Sequence, residues 1–291
     1  MNHKLLKYLL LVVINALSLL TYSQSINEQI KMETRIYKTI GLKRLNLYIF
    51  QPSVRKEGEK LSAIVFFHGG GYTEGSASNF TPQCMYLADK GIVSITVEYR
   101  LKNQHGELPL ICISDAKSAI RWVRGHADEL NIDENRIAAG GGSAGGHLAA
   151  STALLKGFDE VNENLKISSV PNALVLFNPV LDIPEILYQL PKRMVKALKG
   201  RETEISPMHH LFTGAPPTII FHGTADESVP FHQAAKYCDK MKEYGNRCEV
   251  VPFEGLGHGF FRYNPAFLAT MESTVKFLIS IGYLKEEPII R

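Results

Sequence analysis

Short apolar runs recur along the chain, and from residue 61 onward they alternate with segments whose apolar residues repeat at helical spacing. The runs that favour strands are 34–40, 45–50, 61–68, 91–99, 135–141, 172–180, 217–223 and 248–253. Most of them are almost continuously apolar, as expected for strands that are covered on both faces. The clearest helical pattern covers 114–130. This alternation predicts an α/β fold with a mainly parallel eight-stranded sheet and helices on both faces. The first two runs have no helix between them and are expected to form an antiparallel edge.

The first two dozen residues depart from this alternation. Two lysines precede an apolar run from Leu9 to Leu20, and small or polar residues follow it. This three-part pattern predicts a signal peptide over 1–23 with cleavage before Gln24, and therefore a secreted or periplasmic mature chain. An uncleaved membrane anchor is the alternative, but the run is short for a bilayer span and polar residues interrupt it. No stable membrane span is expected after cleavage.

The remaining residues, 24–291, are expected to form one catalytic domain. Within it, the segment 182–212 contains prolines and no strand pattern. Insertions of this kind often form lids over α/β active sites, so this segment is predicted to be a small cap. Without the two lysines of the signal peptide, 30 basic residues face 29 acidic ones, since the full chain has 32 and 29. Such a balance gives no electrostatic reason to expect a nucleic-acid partner.

The run 135–141 leads into a helical pattern through the stretch Gly141–Gly145, which fits the nucleophile-elbow motif G-x-S-x-G around Ser143. Glycine is expected there because a side chain would collide with the neighbouring strand and helix in so sharp a turn. The N–H of Ala144, at the start of the helix, would face a developing oxyanion. A glycine-rich phosphate-binding turn is the alternative, but no lysine follows at Walker spacing.

Two further motifs follow predicted strands. The glycine run after His68 offers the backbone N–H groups of Gly70 and Gly71 to a substrate oxygen. Asp226 follows one late strand and His258 follows the next, which gives the order Ser, Asp, His. In this arrangement Asp226 would orient the imidazole that activates the serine.

Other residues could occupy the same roles. His222 and His232 are alternative bases, and Asp182 and Glu254 are alternative acids, but none has an equally suitable position after a strand. Candidate pocket residues are Tyr72, Tyr188, His209 and His210, and the two histidines fit an exposed surface equally well.

As a set, HGGGY, GGSAGG, HGTADESVP and GLGHGF resemble the motifs of α/β-hydrolases of the hormone-sensitive-lipase-like esterase group. Within that group the chain is most similar to secreted bacterial carbohydrate esterases of the acetylxylan-esterase kind, over roughly residues 45 to 282. The resemblance implies an α/β-hydrolase fold, ester hydrolysis, and neither a metal nor an organic cofactor. The site residues it implies are the triad Ser143, Asp226 and His258 and the oxyanion donors Gly70, Gly71 and Ala144. Many lipase-like members have an acidic residue before the serine, where this chain has Gly142.

The resulting functional prediction is a secreted serine esterase that removes short acyl groups, such as acetyl, from a carbohydrate or polysaccharide. The alternatives are a general carboxylesterase, an amidase or peptidase of the same fold, and a carbohydrate-binding protein that has lost catalysis. The sequence leaves the oligomeric state open.

The chain has four cysteines. Cys238 and Cys248 flank a predicted helix end and turn, so they form either a disulfide that closes a small loop or two separate thiols. Cys84 and Cys112 have the pattern of buried apolar positions.

Overall fold

A computed structural model describes residues 30–52, 55–56, 58–101, 109–190, 192–198 and 200–285. The predicted signal peptide, 1–23, lies outside the described residues. Each of the eight predicted runs forms a strand, with bounds β1 Ile30–Ile40, β2 Lys43–Pro52, β3 Leu61–Phe67, β4 Val93–Val97, β5 Ile132–Gly142, β6 Ala173–Phe177, β7 Thr218–Gly223 and β8 Cys248–Phe253. They form one sheet in the order β1-β2-β4-β3-β5-β6-β7-β8. β2 pairs antiparallel with both β1 and β4, and the other pairs are parallel, so the predicted antiparallel edge is confirmed.

Helices cover both faces of the sheet. Their bounds are α1 Thr81–Asp89, α2 Pro109–Gly125, α3 Ala127–Leu130, α4 Ala144–Leu154, α5 Lys192–Leu198, α6 Phe231–Glu243 and α7 Ala266–Ser280. Buried residues of α2, α4 and α6 pack on one face, and those of α1 and α7 pack on the other. β3 supplies both layers, because successive strand residues point to opposite faces: Val65 joins the first core and Phe66 the second.

The predicted helix over 114–130 is two helices in the structure. α2 begins earlier, at Pro109, and ends at Gly125, and α3 begins at Ala127. Glycine is a poor helix residue, and the backbone of His126 leaves the helical region with φ −110° and ψ 22°. The imidazole of His126 stacks on Trp122 with ring centroids 3.9 Å apart, which holds the break in place.

The predicted cap, 182–212, lies between β6 and β7. Its described part contains α5 and two 3₁₀ turns, Pro184–Gln189 and Pro207–His209, and no strand. Ile186 is buried, and Leu187 packs against the core. The segment is therefore attached to the domain by apolar contacts of its own.

A disulfide joins Cys238 on α6 to Cys248 at the start of β8, with Cα atoms 5.1 Å apart. Of the two alternatives for this pair, the structure has the disulfide. Cys84 and Cys112 lie outside this disulfide and are buried, as their pattern suggests. None of the helices formed by the described residues combines the length and apolarity that a bilayer span needs.

Candidate active site

Ser143 occupies the turn between β5 and α4, at the carboxyl edge of the parallel strands. Its backbone has φ 57° and ψ −121°, a conformation that L residues rarely adopt. Its N–H donates to the carbonyl of Phe177 (3.0 Å), and its own carbonyl accepts from Val180 (3.4 Å) and from His147 (3.0 Å). The strained turn is thus held on one side by the end of β6 and on the other by α4.

The glycines of the motif allow the backbone of this turn to approach its neighbours closely. A Cβ on Gly145 would lie 2.0 Å from the carbonyl oxygen of Phe67 on β3. A Cβ on Gly141 would lie 2.5 Å from that same oxygen and 2.5 Å from the carbonyl of Gly145. These distances agree with the steric explanation for the motif. At Gly142 a Cβ would instead lie 2.6 Å from Cζ of Phe261.

His258 and Asp226 lie within hydrogen-bond distance of each other and of the serine. The Nδ1 of His258 is 2.7 Å from Oδ2 of Asp226, and its Nε2 is 2.9 Å from Oγ of Ser143. Because an ionised carboxylate only accepts hydrogen bonds, Nδ1 carries the proton and Nε2 presents its lone pair to the serine hydroxyl. The three predicted residues therefore form one continuous chain of contacts across three loops.

The Asp226 carboxylate is held ionised. Its burial opposes ionisation, but the adjacent His222 imidazole and hydrogen bonds from His258 and the Val229 N–H outweigh that cost and keep the pKa of Asp226 well below its usual range. Oδ1 accepts from the N–H groups of Ser228 and Val229, at 2.9 Å each. Oδ2 remains directed at His258, so the carboxylate has a fixed orientation.

The predicted oxyanion donors lie in the part of the structure that contains Ser143. Ala144 is the first residue of α4, and the first N–H groups of a helix have no acceptor within it. Gly70 and Gly71 have φ values of 118° and 57°, in the region that favours glycine. Within the part of the chain that the structure describes, no backbone carbonyl accepts from these three N–H groups. All three residues line the same cavity as Ser143 and His258.

That cavity has a volume of about 410 Å³. One wall is apolar and combines Val180 and Val229 with Ile186 and Leu190 from the cap. The only charged side chains lining it among the described residues are those of Glu74 and Arg262, apart from any charge on His258. Cap residues therefore form part of the site, although the sequence analysis did not single out these two.

Of the four candidate pocket residues, Tyr72 lines the cavity and the other three do not, which corrects that prediction. Tyr188 has 79% of its surface exposed, because its 3₁₀ turn directs Ile186 inward instead. His209 pairs with Asp182 (3.3 Å), and His210 contacts the carbonyl of Thr203 (3.1 Å). Both histidines thus contact other parts of the cap segment.

The alternative bases and acids have other partners. His232 pairs with Glu185 (2.9 Å), and Glu254 accepts from the hydroxyl of Thr224 (2.8 Å). Asp182 faces His209, as described above. His222 is fully buried beside Asp226 and does not line the cavity.

Asn178 is a site residue that the sequence analysis missed. It follows β6 directly, is fully buried, and has a positive φ of 35°. Its Oδ1 accepts from the N–H of Gly259 (3.1 Å), the residue after His258. The dipeptide Asn178-Pro179 is a turn signal that could have drawn attention to this position.

A serine elbow at the carboxyl edge of a parallel sheet, followed by an acid and a histidine from later strand ends, defines an α/β-hydrolase. The BD-FAE family model matches residues 47–241, and the dienelactone hydrolase family model matches residues 200–283. The chain belongs to the BD-FAE family.

Solved structures and curated relatives agree with this class. Apo esterase 2 of Thermogutta terrifontis is 46% identical, with a TM-score of 0.83 over 88% of this chain and 97% of that one. The probable carboxylic ester hydrolase LipM of Mycobacterium tuberculosis is 30% identical over 64% of this chain and 46% of its own length. An acetylxylan esterase of Xylanibacter ruminicola is 28% identical over 78% of this chain and 47% of its own length. The chain thus spans about half of these two relatives. The predicted resemblance to α/β-hydrolase esterases is confirmed.

Proposed function

We propose that this chain is a serine carboxylic ester hydrolase in which Ser143 is the nucleophile, His258 the general base and acid, and Asp226 the residue that orients His258. The observation that carries the proposal is the chain of short contacts from Ser143 Oγ through the imidazole to Asp226, at 2.9 and 2.7 Å. The esterase names of the relatives and structural neighbours support the same class of reaction.

In the first half-reaction, His258 Nε2 takes the hydroxyl proton as Ser143 Oγ bonds to the ester carbonyl carbon. The carbonyl electron pair moves onto oxygen, where the N–H groups of Gly70, Gly71 and Ala144 stabilise the negative charge. The bond to the alcohol then breaks, and the imidazolium returns its proton to the departing oxygen. The products are the free alcohol and an acyl-serine.

In the second half-reaction, His258 takes a proton from water as the water oxygen attacks the acyl carbon. The bond to Ser143 Oγ breaks, and the imidazolium protonates that oxygen. The carboxylic acid leaves and the free enzyme is restored. Asp226 stays ionised throughout, because its pKa lies far below the working range. It therefore stabilises the imidazolium in both halves without itself taking the proton.

We propose that the acyl group is short and that the alcohol is a sugar. The apolar side chains that line the cavity beside Ser143 can contact the alkyl part of an acyl group. The Thermogutta terrifontis esterase has been solved with propionate and with butyrate bound, and one relative is an acetylxylan esterase. These names support a short acyl group and a carbohydrate alcohol, respectively.

The test is hydrolysis of nitrophenyl esters of increasing acyl length, beside acetate release from acetylated oligosaccharides. Ser143→Ala is expected to remove nearly all activity because the nucleophile is lost. The expected decrease in kcat is as large as roughly a millionfold. Ser78→Ala, at an exposed serine, is the matched control and keeps full activity. Activity that survives in Ser143→Ala contradicts the proposed mechanism. Activity on esters but not on sugars leaves a general carboxylesterase, and cleavage of amides alone makes the chain an amidase.

We also propose that the chain is exported and that its signal peptide is removed. The charged, apolar and small-residue pattern of residues 1–23 supports this. Mass spectrometry of the protein recovered from a bacterial periplasm or medium is expected to show Gln24 as the first residue. A protein that keeps its N-terminal residues in the membrane fraction would contradict the proposal.

A further inference from the structure

A second histidine lies against the carboxylate of Asp226, and the proposed reaction does not use it. His222 belongs to β7, has no exposed surface, and does not line the cavity. Its Nε2 is 2.9 Å from the carbonyl of Val229 and 3.4 Å from Oδ2 of Asp226. The contact with the Val229 carbonyl has hydrogen-bond geometry. The contact with Asp226 is an electrostatic interaction at a longer distance.

These contacts close a ring around the turn that carries the acid. The N–H of Val229 donates to Oδ1 of Asp226 (2.9 Å), and the carbonyl of Val229 accepts from His222. The imidazole therefore holds both sides of the turn, from a strand that is fully buried in the sheet. Val229 also lines the cavity beside Ser143, so the same hydrogen bond fixes part of the substrate-facing wall.

The two ring nitrogens of His222 have different surroundings. Nε2 carries a proton, because a carbonyl and a carboxylate face it. Nδ1 is buried without a hydrogen-bond partner among the described residues, so a proton there would have no acceptor. The charged group facing His222 is Asp226, with His258 on the far side of that carboxylate, while α6 contributes the uncharged ring of Phe231. His222 thus presents its Nε2–H as a donor to the 226–229 turn.

We propose that His222 is a positioning residue for the catalytic acid: its Nε2–H holds the 226–229 turn so that Asp226 keeps its contact with His258. This inference rests on the proposed function. Without the Nε2–H, the turn loses one of its anchors, and the carboxylate supports the imidazolium less well. The loss appears in turnover and in the titration of His258, and much less in substrate affinity.

The test compares His222→Gln with His222→Asn. The glutamine amide nitrogen extends about as far as Nε2 and can donate to the Val229 carbonyl, whereas the asparagine amide ends near the position of Nδ1. We expect His222→Asn to lower kcat about tenfold to a hundredfold with KM nearly unchanged, the scale of a small misplacement of a catalytic group. His222→Gln is expected to recover most of this loss. His232→Gln, at a histidine with 63% of its side chain exposed, is the control for general effects of the substitution.

The pH profile separates positioning from a structural role. The acid limb of kcat/KM reports the pKa of the base in the free enzyme. A misplaced carboxylate stabilises the imidazolium less and so lowers the pKa of the base. The acid limb of His222→Asn is therefore expected to move to lower pH, and the acid limb of His222→Gln is expected to lie close to that of the wild type. A merely structural residue would reduce the folded fraction and leave the limb where it is. If folded His222→Asn has the wild-type kcat and acid limb, the inference is wrong, whereas an inactive wild-type chain would instead contradict the proposed function.

Discussion

At the scale of single residues, Gly142 and Phe261 are complementary. The Phe261 ring is 2% exposed and packs between Phe177 and Phe80, with centroids 4.8 and 5.8 Å away. Because its ring fills the space beside Gly142, a Cβ there has no room. This gives a physical reason for the absence of the acidic residue that many lipase-like members have before the serine. The second core and the elbow are therefore adapted to each other at this point.

This complementarity predicts coupling between the two positions. Gly142→Ala is expected to lower the free energy of unfolding by about 1–3 kcal/mol, the usual cost of overpacking a core. The same substitution in a Phe261→Leu background is expected to cost clearly less, because the ring tip that it meets is gone. Urea unfolding of the four proteins of this double-mutant cycle measures the coupling. If the losses in unfolding free energy of the two single variants add up to that of the double variant, the contact with Phe261 is not what makes Gly142→Ala unfavourable.

The contacts among Ser143, His258 and Asp226 could be predicted from the sequence because each of these residues lies in a short motif after a recognisable strand. The turn signal at Asn178 marks its position but not its role, because that role depends on a contact with Gly259, 81 residues away, and on a left-handed backbone. The same reasoning explains why the sequence left both a pocket and an exposed surface open for His209 and His210. Which way a side chain of an irregular segment points is decided by packing, and local spacing carries no information about it.

At the scale of elements, the cap limits the cavity. Ile186 and Leu190 line it, and Tyr188 lies between them in sequence but faces solvent. The irregular turn thus directs two of these side chains to the cavity and the one between them to solvent. Only the presence of the insertion, and not its inner face, could be predicted from the sequence.

The cap wall is predicted to set the range of acyl lengths. Leu190→Ala is expected to raise kcat/KM on longer nitrophenyl esters relative to acetate, by about tenfold or more, since each added methylene in an apolar pocket is worth about 1–3 kcal/mol. The matched control is Tyr188→Ala, which removes an exposed side chain of the same segment and is expected to leave the profile unchanged. An unchanged profile in Leu190→Ala would place the acyl group elsewhere.

The disulfide connects two elements at the edge of the sheet. It closes a loop over a sequence separation of 10 residues between α6 and β8. Cys238→Ser with Cys248→Ser is expected to lower the free energy of unfolding by about 2–3 kcal/mol, because the unfolded chain gains freedom. Urea unfolding with and without a reductant measures this: the reductant should destabilise the natural chain and not the double variant. Equal sensitivity of both proteins would contradict a stabilising bridge.

At the scale of the whole molecule, the class of fold follows from hydrophobic periodicity, because buried parallel strands and their covering helices have different repeats. The pattern predicts all eight strands and the antiparallel edge. It does not contain the spatial order, in which β4 lies between β2 and β3. That order depends on pairing between strands that are distant in sequence, and local hydrophobic patterns carry no information about such pairing.

Global stability is predicted to depend on pH through a histidine buried beneath the elbow. Burial lowers the pKa of His147 to about 4, although the nearby carbonyl of Ile205 partly opposes the shift. The unfolded chain, with a pKa near 6.5, then binds more protons than the folded chain between about pH 6.5 and 4. Stability is therefore expected to fall as the pH falls through this range, by roughly 3 kcal/mol in all.

Urea unfolding at several pH values, compared between the natural chain and His147→Gln, checks this expectation. Glutamine keeps an N–H for the Ile205 carbonyl, which accepts from Nε2 at 2.6 Å, and does not titrate. The variant is expected to lose most of the slope. Part of it remains because burial also lowers the pKa of His68. An identical slope in both proteins would assign the pH dependence to other groups.

The end of β6 serves the elbow and the histidine loop at once: Phe177 accepts from Ser143, and Asn178 accepts from Gly259. The cap segment, 182–212, begins only a few residues after Asn178. Two residues that precede the insertion thus hold the proposed reacting groups, while the insertion contributes Ile186 and Leu190 to the apolar lining of the cavity. The residues that hold the serine and the histidine are consequently distinct from the cap residues that would select the acyl group. A cap exchanged after Val180 and rejoined before β7 would alter which esters fit while leaving the anchors of the serine and the histidine intact.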